Sequence, residues 1–381
     1  MRPDTEEALA RVIREADAPL RIVGGGTRPI WPARGHDLST GALTGVTLHD
    51  PGALTLVARA GTPVDVIQET LAAHDQRLAF EPMDHRPLLG GTGAPTIGGV
   101  MAANVSGPRR VAVGAARDFC LGVRFVDGNG TVVSNGGRVM KNVTGYDLVK
   151  LMCGSFGRLG VLTEVSLKVL PRPETTATLA IDGLSPTEAV AAMSDAFGTP
   201  FEVTGAAYVP SDTGARTCLR LEGFADSVSY RLKALSDALS RFGTHESVTD
   251  AQISKDLWSD IRDVRALASR PGDIWRISVR PSHAPDLIAR LPDGAQYQLD
   301  WGGGLIWAVV PEGCDLRATL APYVGHATCL RTGAPDIPTF EPEPAPLAAL
   351  TDGLMGKFDP RAILNQRNAV SAPTRQSEGA T

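Results

Sequence analysis

Arg21-Ile22-Val23-Gly24-Gly25-Gly26-Thr27-Arg28 is a short apolar segment that runs directly into three glycines, a hydroxyl and a guanidinium. Glycine has no Cβ, so consecutive glycines let the backbone turn several N–H groups toward one point, which is how proteins grip a phosphate. A tight turn after a strand has the same composition, so this stretch alone leaves a turn and a ligand loop both open. The rest of the sequence decides between them.

A second glycine-dense region spans residues 90–107 and contains Pro95-Thr96-Ile97-Gly98-Gly99, followed by small residues up to Gly107. Residues this small let backbones approach closely, so N–H groups and hydroxyls converge where a flat or anionic ligand fits. The competing interpretation is a closely packed helix crossing. The length of the glycine-rich run favours the ligand site.

The composition is that of a globular protein with more than one domain's length: 381 residues, 43% hydrophobic and 21% charged. The net charge is −5 and no basic run exceeds Arg109-Arg110, which argues against nucleic acid or an anionic membrane surface as a partner. Without an apolar secretion signal or a window long enough for a transmembrane segment, we expect a cytoplasmic protein. Five scattered cysteines and seven histidines without ligand spacing predict no disulfide framework, iron–sulfur cluster or metal site.

The apolar patterning of the first half predicts a helix with a capping box at Asp4 and Glu7, a hairpin at Asp127-Gly128-Asn129-Gly130, and a small α/β lobe. The predicted strands lie at residues 45–49, 55–59, 77–80, 119–126, 131–134 and 161–170, and the further helices at 63–74 and 147–153.

Four motifs follow one another between residues 24 and 164. They are Gly24-Gly25-Gly26-Thr27; Pro95-Thr96-Ile97-Gly98-Gly99 with Asn104 and Gly107; Gly114-x-x-Arg117-Asp118; and Gly154-Ser155-Phe156-Gly157-Arg158-Leu159-Gly160-Val161-Leu162-Thr163-Glu164. In this order they resemble the FAD-binding domain of the vanillyl-alcohol oxidase and p-cresol methylhydroxylase (PCMH) family. Ser106-Gly107-Pro108-Arg109-Arg110 and residues 139–148 narrow the resemblance to the FAD-binding E-type subunits of bacterial glycolate oxidases.

The resemblance implies a two-lobed PCMH-type FAD-binding domain and assigns residues to the cofactor. Backbone N–H groups would hold the pyrophosphate at Gly24, Gly25, Gly26, Thr27 and Arg28. The flavin and phosphates would be lined by Thr96, Gly98, Gly99, Asn104 and Gly107, and the adenine end by Gly160 and Val161. Arg109 and Arg110 either add charge to the phosphates or form a solvated pair on a loop.

Two departures from the family bear on how the flavin is held. The sequence Ser155-Phe156-Gly157-Arg158-Leu159-Gly160 lacks the acidic residue that many members carry at this place. Covalent attachment in some members uses a histidine near the first loop, but His36 lies outside any matching motif. We therefore expect noncovalent FAD.

Pro171-Arg172-Pro173 marks a predicted domain boundary, after which the pattern changes to an antiparallel sheet covered on one face by helices. The predicted strands lie at residues 176–181, 202–209, 217–221, 274–279, 296–300 and 305–310, and the helices at 185–197, 226–242, 253–267 and 284–291. In the family such a second domain caps the flavin and supplies the substrate pocket. The expected fold class is α+β.

Within this cap, Asp300-Trp301-Gly302-Gly303-Gly304 is either a hairpin turn or, as the resemblance implies, a segment that brings Trp301 beside the flavin. Arg276 and Arg280 are predicted on one face of a strand, where a guanidinium suits the carboxylate of a small 2-hydroxy acid. Ion pairs are the alternative use of both arginines. No residue is identified as a catalytic base.

We expect a PCMH-type FAD-binding domain at residues 1–172 and a cap at 173–345. A helix and tail at 346–370, whose Phe358-Asp359-Pro360 resembles the family's returning tail, would pack back onto the FAD domain, with a flexible tail at 371–381.

The resemblance implies an FAD-binding subunit of a multi-subunit glycolate oxidase that oxidises glycolate to glyoxylate. Hydride would pass to flavin N5, or the flavin would relay electrons within the complex. The implied partners are a second flavoprotein subunit and an iron–sulfur subunit, through which the chain would be membrane-associated. Two alternatives stay open: a stand-alone 2-hydroxy-acid dehydrogenase, and a catalytically silent assembly subunit.

Overall fold

The structure is a computed structural model that describes residues 1–29, 33–138, 145–211 and 214–366. Most of the predicted signature at 139–148 and all of the predicted tail at 371–381 lie outside the described residues.

The first half contains short helices and antiparallel strands around the two glycine-rich regions. In chain order its elements are α1 (Glu6–Glu15), β1 (Leu20–Val23), β2 (His36–Ser39), β3 (Val46–Asp50), β4 (Thr55–Arg59), α2 (Val64–Ala72), β5 (Gln76–Arg77), α3 (Arg86–Leu89), α4 (Ile97–Ala102), α5 (Arg110–Val113), β6 (Cys120–Val126), β7 (Val132–Gly136), α6 (Leu148–Met152), β8 (Val161–Lys168) and β9 (Leu170–Pro171).

Two sheets make up the two lobes of this half, and β5 and β9 pair in a separate two-stranded sheet. In one lobe β1 pairs in parallel with β2, and a small core joins them to α1. In the other lobe five antiparallel strands follow the order β3-β4-β8-β6-β7. The hairpin between β6 and β7 forms where it was predicted, because the Asp127 carboxylate accepts from the N–H groups of Asn129 and Thr131. The predicted two-lobed arrangement is confirmed.

Three local predictions in this half are corrected. The predicted Asp4 capping box is wrong: Thr5 caps α1, its hydroxyl accepting from Ala8 N at 3.1 Å. The strand predicted at 77–80 is limited to Gln76–Arg77, because the next residues are buried in the core rather than paired in a ladder. The strand β2 was missed, since His36–Ser39 is short and largely polar.

The second half alternates strands and helices. Its elements are β10 (Thr175–Asp182), α7 (Pro186–Gly198), β11 (Gly205–Ser211), β12 (Gly214–Gly223), α8 (Ala225–Ala238), β13 (His245–Val248), α9 (Ala251–Arg262), α10 (Arg265–Ala268), β14 (Asp273–Val279), α11 (Ala284–Ile288), β15 (Gln296–Asp300), β16 (Leu305–Val310), α12 (Leu316–Leu320), β17 (Gly325–Arg331) and α13 (Ala345–Phe358).

The strands β10 to β17 form one antiparallel eight-stranded sheet in the order β13-β10-β12-β11-β15-β16-β14-β17. One face packs against α7, α8, α11 and α12. The other face meets α9 at one end and the core of the first half at the other, through Ile274, Leu305 and Trp307. The antiparallel sheet is confirmed, but the expectation that helices cover only one face is wrong, because α9 buries Trp258 and Ile261 on the opposite side.

Other differences in this half have local causes. The helix predicted at 253–267 is divided into α9 and α10 by Val264, whose φ of 53° is left-handed. The edge strands β13 and β17 were missed, since their patterns are short or mixed in polarity. None of the helices within the described residues is long and apolar enough to cross a bilayer.

After α13 the chain returns to the first half, as predicted. Leu364 bridges to Leu20 beside β1, and Asn365 N donates to the Leu20 carbonyl at 3.0 Å. The Arg361 guanidinium donates to the carbonyls of Ile13 and Gly128, so it satisfies the end of α1 and ties the hairpin to it.

Buried ion pairs join the two halves of the chain. Glu81, which follows β5, accepts from two nitrogens of the Arg220 guanidinium on β12 at 2.8 and 2.9 Å. Glu222, on the same strand, pairs with Arg77 at 2.6 Å and with Arg109. Burial alone would raise the pKa of Glu81, but the three guanidiniums hold it below its usual value. Burial, with the charges of Arg77 and Arg220, lowers the pKa of Arg109 to about 9.

Replacing Glu222 with Gln is expected to lower the free energy of unfolding by about 3–5 kcal/mol, because two buried guanidiniums lose their shared carboxylate. Urea unfolding measures the change. Asp195→Asn is the matched control, since it breaks an exposed pair with Arg241 and is expected to cost about 0–1 kcal/mol. Equal losses in the two variants would contradict the assignment of the network as a buried constraint.

Candidate functional site

The first glycine loop begins where β1 ends. Within the described residues, the backbone N–H groups of Gly24 to Arg28 have no hydrogen-bond partner. Gly26 has a φ of 67°, a left-handed conformation that glycine adopts without strain. The loop borders a cavity of about 390 Å³, within the roughly 300–1,000 Å³ of typical ligand sites. Backbone donors without partners, in a loop that borders a cavity, suit a pyrophosphate.

The second glycine-rich region lies against the first. A Cβ on Gly25 would stand 1.6 Å from the Ala94 carbonyl oxygen, and one on Gly93 would stand 1.7 Å from the Gly25 oxygen. The two loops therefore touch through their backbones. Both glycines are required by this contact alone, so losing flavin on substitution of Gly25 would not by itself show that the loop binds phosphate.

The helix α4 forms one wall of the cavity. Thr96 caps it, with its hydroxyl accepting from Gly99 N at 3.4 Å. Gly98 faces β4 instead: its N–H donates to the Ala60 carbonyl at 2.8 Å, and a Cβ would stand 2.6 Å from the Ala60 side chain. Gly99 is exposed and borders the cavity, where a Cβ would approach only the Thr96 hydroxyl. Gly98 thus serves packing and Gly99 leaves room for a ligand.

The structure brings together some of the residues that the resemblance assigns to FAD. The described cavity lining includes Gly24, Gly25, Gly26, Thr27, Arg28, Thr96 and Gly99, and it does not include Gly98, Asn104, Gly107, Gly160 or Val161. The roles of the latter five at FAD stay predictions.

Those five residues have other contacts. The Asn104 amide oxygen accepts from Arg117 N at 3.0 Å. Gly160 packs beneath Phe125, where a Cβ would stand 2.6 Å from the ring, and Val161 is 1% exposed in the core. Gly160 and Val161 would therefore contact an adenine through their backbone groups.

Sequence reasoning assigned no role to Met83, His85 or Phe156 of the cavity wall, which also includes Asn365. The Asn365 side chain links the strand before the loop to the segment that contains Phe156. Its amide oxygen accepts from Ile22 N at 2.7 Å, and its nitrogen donates to the Phe156 carbonyl at 2.8 Å. The returning tail was the available signal for Asn365. Pro82-Met83-Asp84-His85 carries no pattern that would have indicated a site.

Buried positive charge lies at one end of the cavity. The Arg28 guanidinium stands 5.5 Å from the Phe156 ring centroid, and its Nε and Nη1 atoms are buried without a hydrogen-bond partner among the described residues. Burial and then the charge of Arg276 lower the pKa of Arg28 to about 9, so it stays a cation at neutral pH. Burial, followed by the charge of Arg28, holds the pKa of His85 well below its usual value, so His85 is neutral there.

Trp301 connects the second half of the chain to the second glycine-rich region. Its indole N–H donates to the Gly107 carbonyl at 3.1 Å, while Arg110 and Arg276 lie 4.5 and 5.1 Å from its ring centroid. Burial lowers the pKa of Arg276 to about 10. The prediction that Arg280 shares a strand face with Arg276 is wrong, because β14 ends at Val279 and Arg280 is exposed.

Two further charged residues differ from expectation or were not anticipated. Arg109 neither adds charge at the cavity nor is solvated, since it pairs with Glu222. Asp300, 3% exposed, accepts from Trp301 N at 2.7 Å, and burial raises its pKa to about 7. Among the described residues, no three His, Cys, Asp or Glu side chains gather to hold a metal ion.

The arrangement fits FAD. Unpaired backbone donors suit a pyrophosphate, and the small and apolar wall of Gly99, Val100, Ala102 and Ala103 suits a flat ring. Residues 1–136 match the model of a family described as FAD binding domain. Fold and site therefore define an FAD-dependent oxidoreductase of the PCMH type.

The chain is 34% identical over 369 residues to glycolate oxidase subunit GlcE of Escherichia coli (strain K12), covering 95% of this chain and 96% of that protein. The chain belongs to the GlcE family of glycolate oxidase subunits. It is also 44% identical over 84 residues to glycolate oxidase subunit GlcD of Bacillus subtilis (strain 168), or 22% of this chain and 18% of that protein. A structure of alkyldihydroxyacetonephosphate synthase shares the fold, with a TM-score of 0.70 at 16% identity over 96% of this chain and 76% of that chain.

Replacing Gly99 with Leu is expected to weaken FAD binding by about tenfold or more while leaving the melting temperature of the FAD-free chain nearly unchanged, because the side chain enters the cavity rather than the core. Flavin fluorescence titration and thermal melting give the two quantities. Gly98→Ala is the matched control on the same helix: its methyl group meets Ala60, so the FAD-free chain should melt at a lower temperature. A Gly99→Leu chain that binds FAD normally would place the cofactor elsewhere.

Proposed function

We propose that this chain is the FAD-binding subunit of a multi-subunit glycolate oxidase and takes part in the oxidation of glycolate to glyoxylate. The observation that carries the proposal is the 34% sequence identity to a glycolate oxidase subunit over 95% of the chain. The cavity beside the first glycine loop supports it. We further propose the division into an FAD-binding domain at 1–172, a cap at 173–345 and a returning segment at 346–370.

The cofactor would be held by the first glycine loop and by α4. The N–H groups of Gly24 to Arg28 bind the pyrophosphate, and Thr96 and Gly99 border it from the other loop. Asn365 fixes the loop by bonding to Ile22 and Phe156, so the donors are held in position before the cofactor arrives. When bound, FAD accepts a hydride at N5 or passes electrons on one at a time.

The electrons would leave through other subunits. Within the described residues the five cysteines are free, and none belongs to a cluster-binding spacing in the sequence. We propose a second flavoprotein subunit and an iron–sulfur subunit as the partners. Cytoplasmic location, with membrane association through those partners, remains the expectation from the sequence.

Arg276 and Asp300 favour a second candidate, a stand-alone 2-hydroxy-acid dehydrogenase. Arg276 suits a substrate carboxylate, and Asp300, with its pKa near 7, can take up or release a proton near neutral pH. Both residues lie on the sheet face that meets the first half, since they alternate with the residues that pack on α7 and α11.

Anaerobic mixing of the purified chain with glycolate, followed by visible absorbance, tests these proposals. If the chain belongs to a multi-subunit oxidase, its bound flavin should bleach when the partner subunits are present and stay oxidised when they are absent. Bleaching by the chain alone would support the stand-alone dehydrogenase. A chain that assembles with its partners but holds no flavin would be an assembly subunit, and the proposal would fail. Acetate, which has no hydroxyl to oxidise, serves as the negative control.

The flavin is expected to be noncovalent. Acid precipitation of the yellow protein should release all of the FAD into the supernatant, because His36, the histidine that follows the first glycine loop, lies outside the motif that carries covalent attachment in other members of the family. Absorbance of the supernatant and pellet at the flavin band gives the partition. Colour that stays with the pellet would show a covalent bond and overturn this part of the proposal.

A further inference from the structure

Trp301 has an unusual backbone conformation at the point where the two halves of the chain meet. Its φ of 54° is left-handed, a region that a bulky side chain rarely adopts. The indole N–H donates to the Gly107 carbonyl at 3.1 Å, and the same carbonyl accepts from Arg110 N at 3.1 Å. Gly107 is itself confined, because a Cβ there would stand 2.4 Å from the Glu81 carbonyl oxygen. The indole of the second half is therefore fixed against the first half, beside Arg110.

Two guanidiniums, one from each half, lie against this indole. The Cζ atom of Arg110 is 4.5 Å from the ring centroid of Trp301, and that of Arg276 is 5.1 Å from it. Because both distances are measured to one ring, the two guanidiniums can be no farther apart than these distances together. Arg276 also lies 5.9 Å from the Trp307 ring centroid. Two like charges thus share one aromatic surface.

Neither guanidinium has an ion pair or a hydrogen bond among the described residues. The neighbouring carboxylate of Asp300 accepts instead from Trp301 N, at 2.7 Å. Both arginines are half-buried, so solvent screens their mutual repulsion less than it would at the surface. An anion that contacts both guanidiniums would replace this repulsion with attraction.

Other arginines that stack on aromatic rings use their N–H donors within the protein. Arg220 and Arg317 each lie against a tryptophan ring, with their Cζ atoms 4.7 and 4.8 Å from the centroid. Arg220 also pairs with Glu81, and Arg317 also donates to backbone carbonyls. Arg110 and Arg276 have the same stacking, but their side-chain N–H donors remain available for a ligand.

Hydroxyl groups lie beside Arg276 on the sheet. Arg276 alternates along β14 with Trp275 and Ile277, which pack on the other face with α7 and α11, so it faces the first half. Thr328 lies directly opposite on β17, and Ser278 is the next residue of β14 on the same face. These side chains offer hydrogen bonds without a counter-charge. The surroundings of Arg276 therefore suit an anion that also carries a hydroxyl.

This pair of arginines lies outside the cavity of the first glycine loop. The described lining of that cavity includes neither Arg110 nor Arg276, but it includes Val105, two residues before Gly107. A pyrophosphate in the cavity already has the backbone N–H groups of the loop. A ligand of Arg110 and Arg276 would accordingly lie next to the cofactor cavity and not in it.

We propose that Arg110 and Arg276 together bind the carboxylate of the 2-hydroxy acid on the surface of Trp301, so that each half of the chain contributes one guanidinium to the substrate. A guanidinium matches a carboxylate through two parallel hydrogen bonds. This inference rests on the proposed function, from which the substrate class is taken. It adds Arg110 to the substrate site and leaves the pyrophosphate to the glycine loop.

Isothermal titration calorimetry of the FAD-loaded chain with oxalate, a carboxylate that resembles the substrate, tests the inference. Arg110→Met and Arg276→Met should each raise the Kd for oxalate about 10-fold to 100-fold, because each removes charged hydrogen bonds. FAD should stay at one per chain in both variants, since the arginines lie outside the cavity. The double variant should lose less than the product of the two effects, because both arginines act on one carboxylate.

Arg241→Met is the matched control. Arg241 also lies on an aromatic ring, 4.6 Å from the Phe242 centroid, but it is exposed and pairs with Asp195, so its loss should leave the Kd for oxalate unchanged. Glycolamide, which lacks the negative charge, should bind wild type and the variants equally weakly. Thermal melting shows whether a variant is folded. Where a Met variant melts early, the Lys variant at the same position takes its place and should keep part of the affinity for oxalate.

Three results would overturn the inference: no oxalate binding by the wild-type chain, an unchanged Kd in both variants, or loss of FAD in either variant, which would assign that arginine to the cofactor. Early melting with an unchanged Kd would make the two arginines a contact between the halves and nothing more.

The proposed function fails separately, if the complete complex does not oxidise glycolate. Oxalate binding that requires both arginines would then still establish a carboxylate site. Oxidation of glycolate by the complex, with an unchanged Kd for oxalate in both variants, would refute this inference alone.

Discussion

The buried pairing between Glu81 and the cap is the constraint on which the rest of the structure depends. Glu81 accepts from the guanidinium of Arg220 and also from Arg109 N, at 3.0 Å, so one carboxylate holds both the large sheet and the end of the second glycine region. Gly107, two residues before Arg109, then receives the indole of Trp301. The position of the cap above the cavity is thereby set by ionic contacts several residues away from it.

Local chemistry made much of this fold predictable. Residues close in sequence determine the glycine loops, the hairpin at Asp127 and the alternating strands. The structure has these features at the positions that the sequence predicts. The missed features depend on residues far apart. His85 enters the cavity wall only because the chain folds back after β5, and the partner of Arg109 stands on a strand more than a hundred residues later. No spacing pattern carries such information. The packing of Trp258 and Ile261 of α9 on β11 and β12 likewise joins residues that are distant in sequence.

Backbone groups and side chains contribute different chemistry to the site. The first half contributes backbone donors, small side chains and close backbone contacts, which tolerate almost no change at Gly25 or Gly93. Arg28 brings a positive charge to the cavity from the first half, and in the second half Arg276 lies against the rings of Trp301 and Trp307. A family resemblance is therefore strongest in the first half, where glycine is required by geometry.

Asn365 has a consequence for how the protein is made. Its side chain binds Ile22, 343 positions earlier in the chain, and so holds the strand that leads into the glycine loop. During translation the loop leaves the ribosome long before this support exists. The cavity wall is complete only when the returning segment has been synthesised and has packed against α1 and β1. A chain that ends before Asn365 therefore has the glycine loop without the side chain that holds its strand, so the loop reaches its final geometry late in biosynthesis.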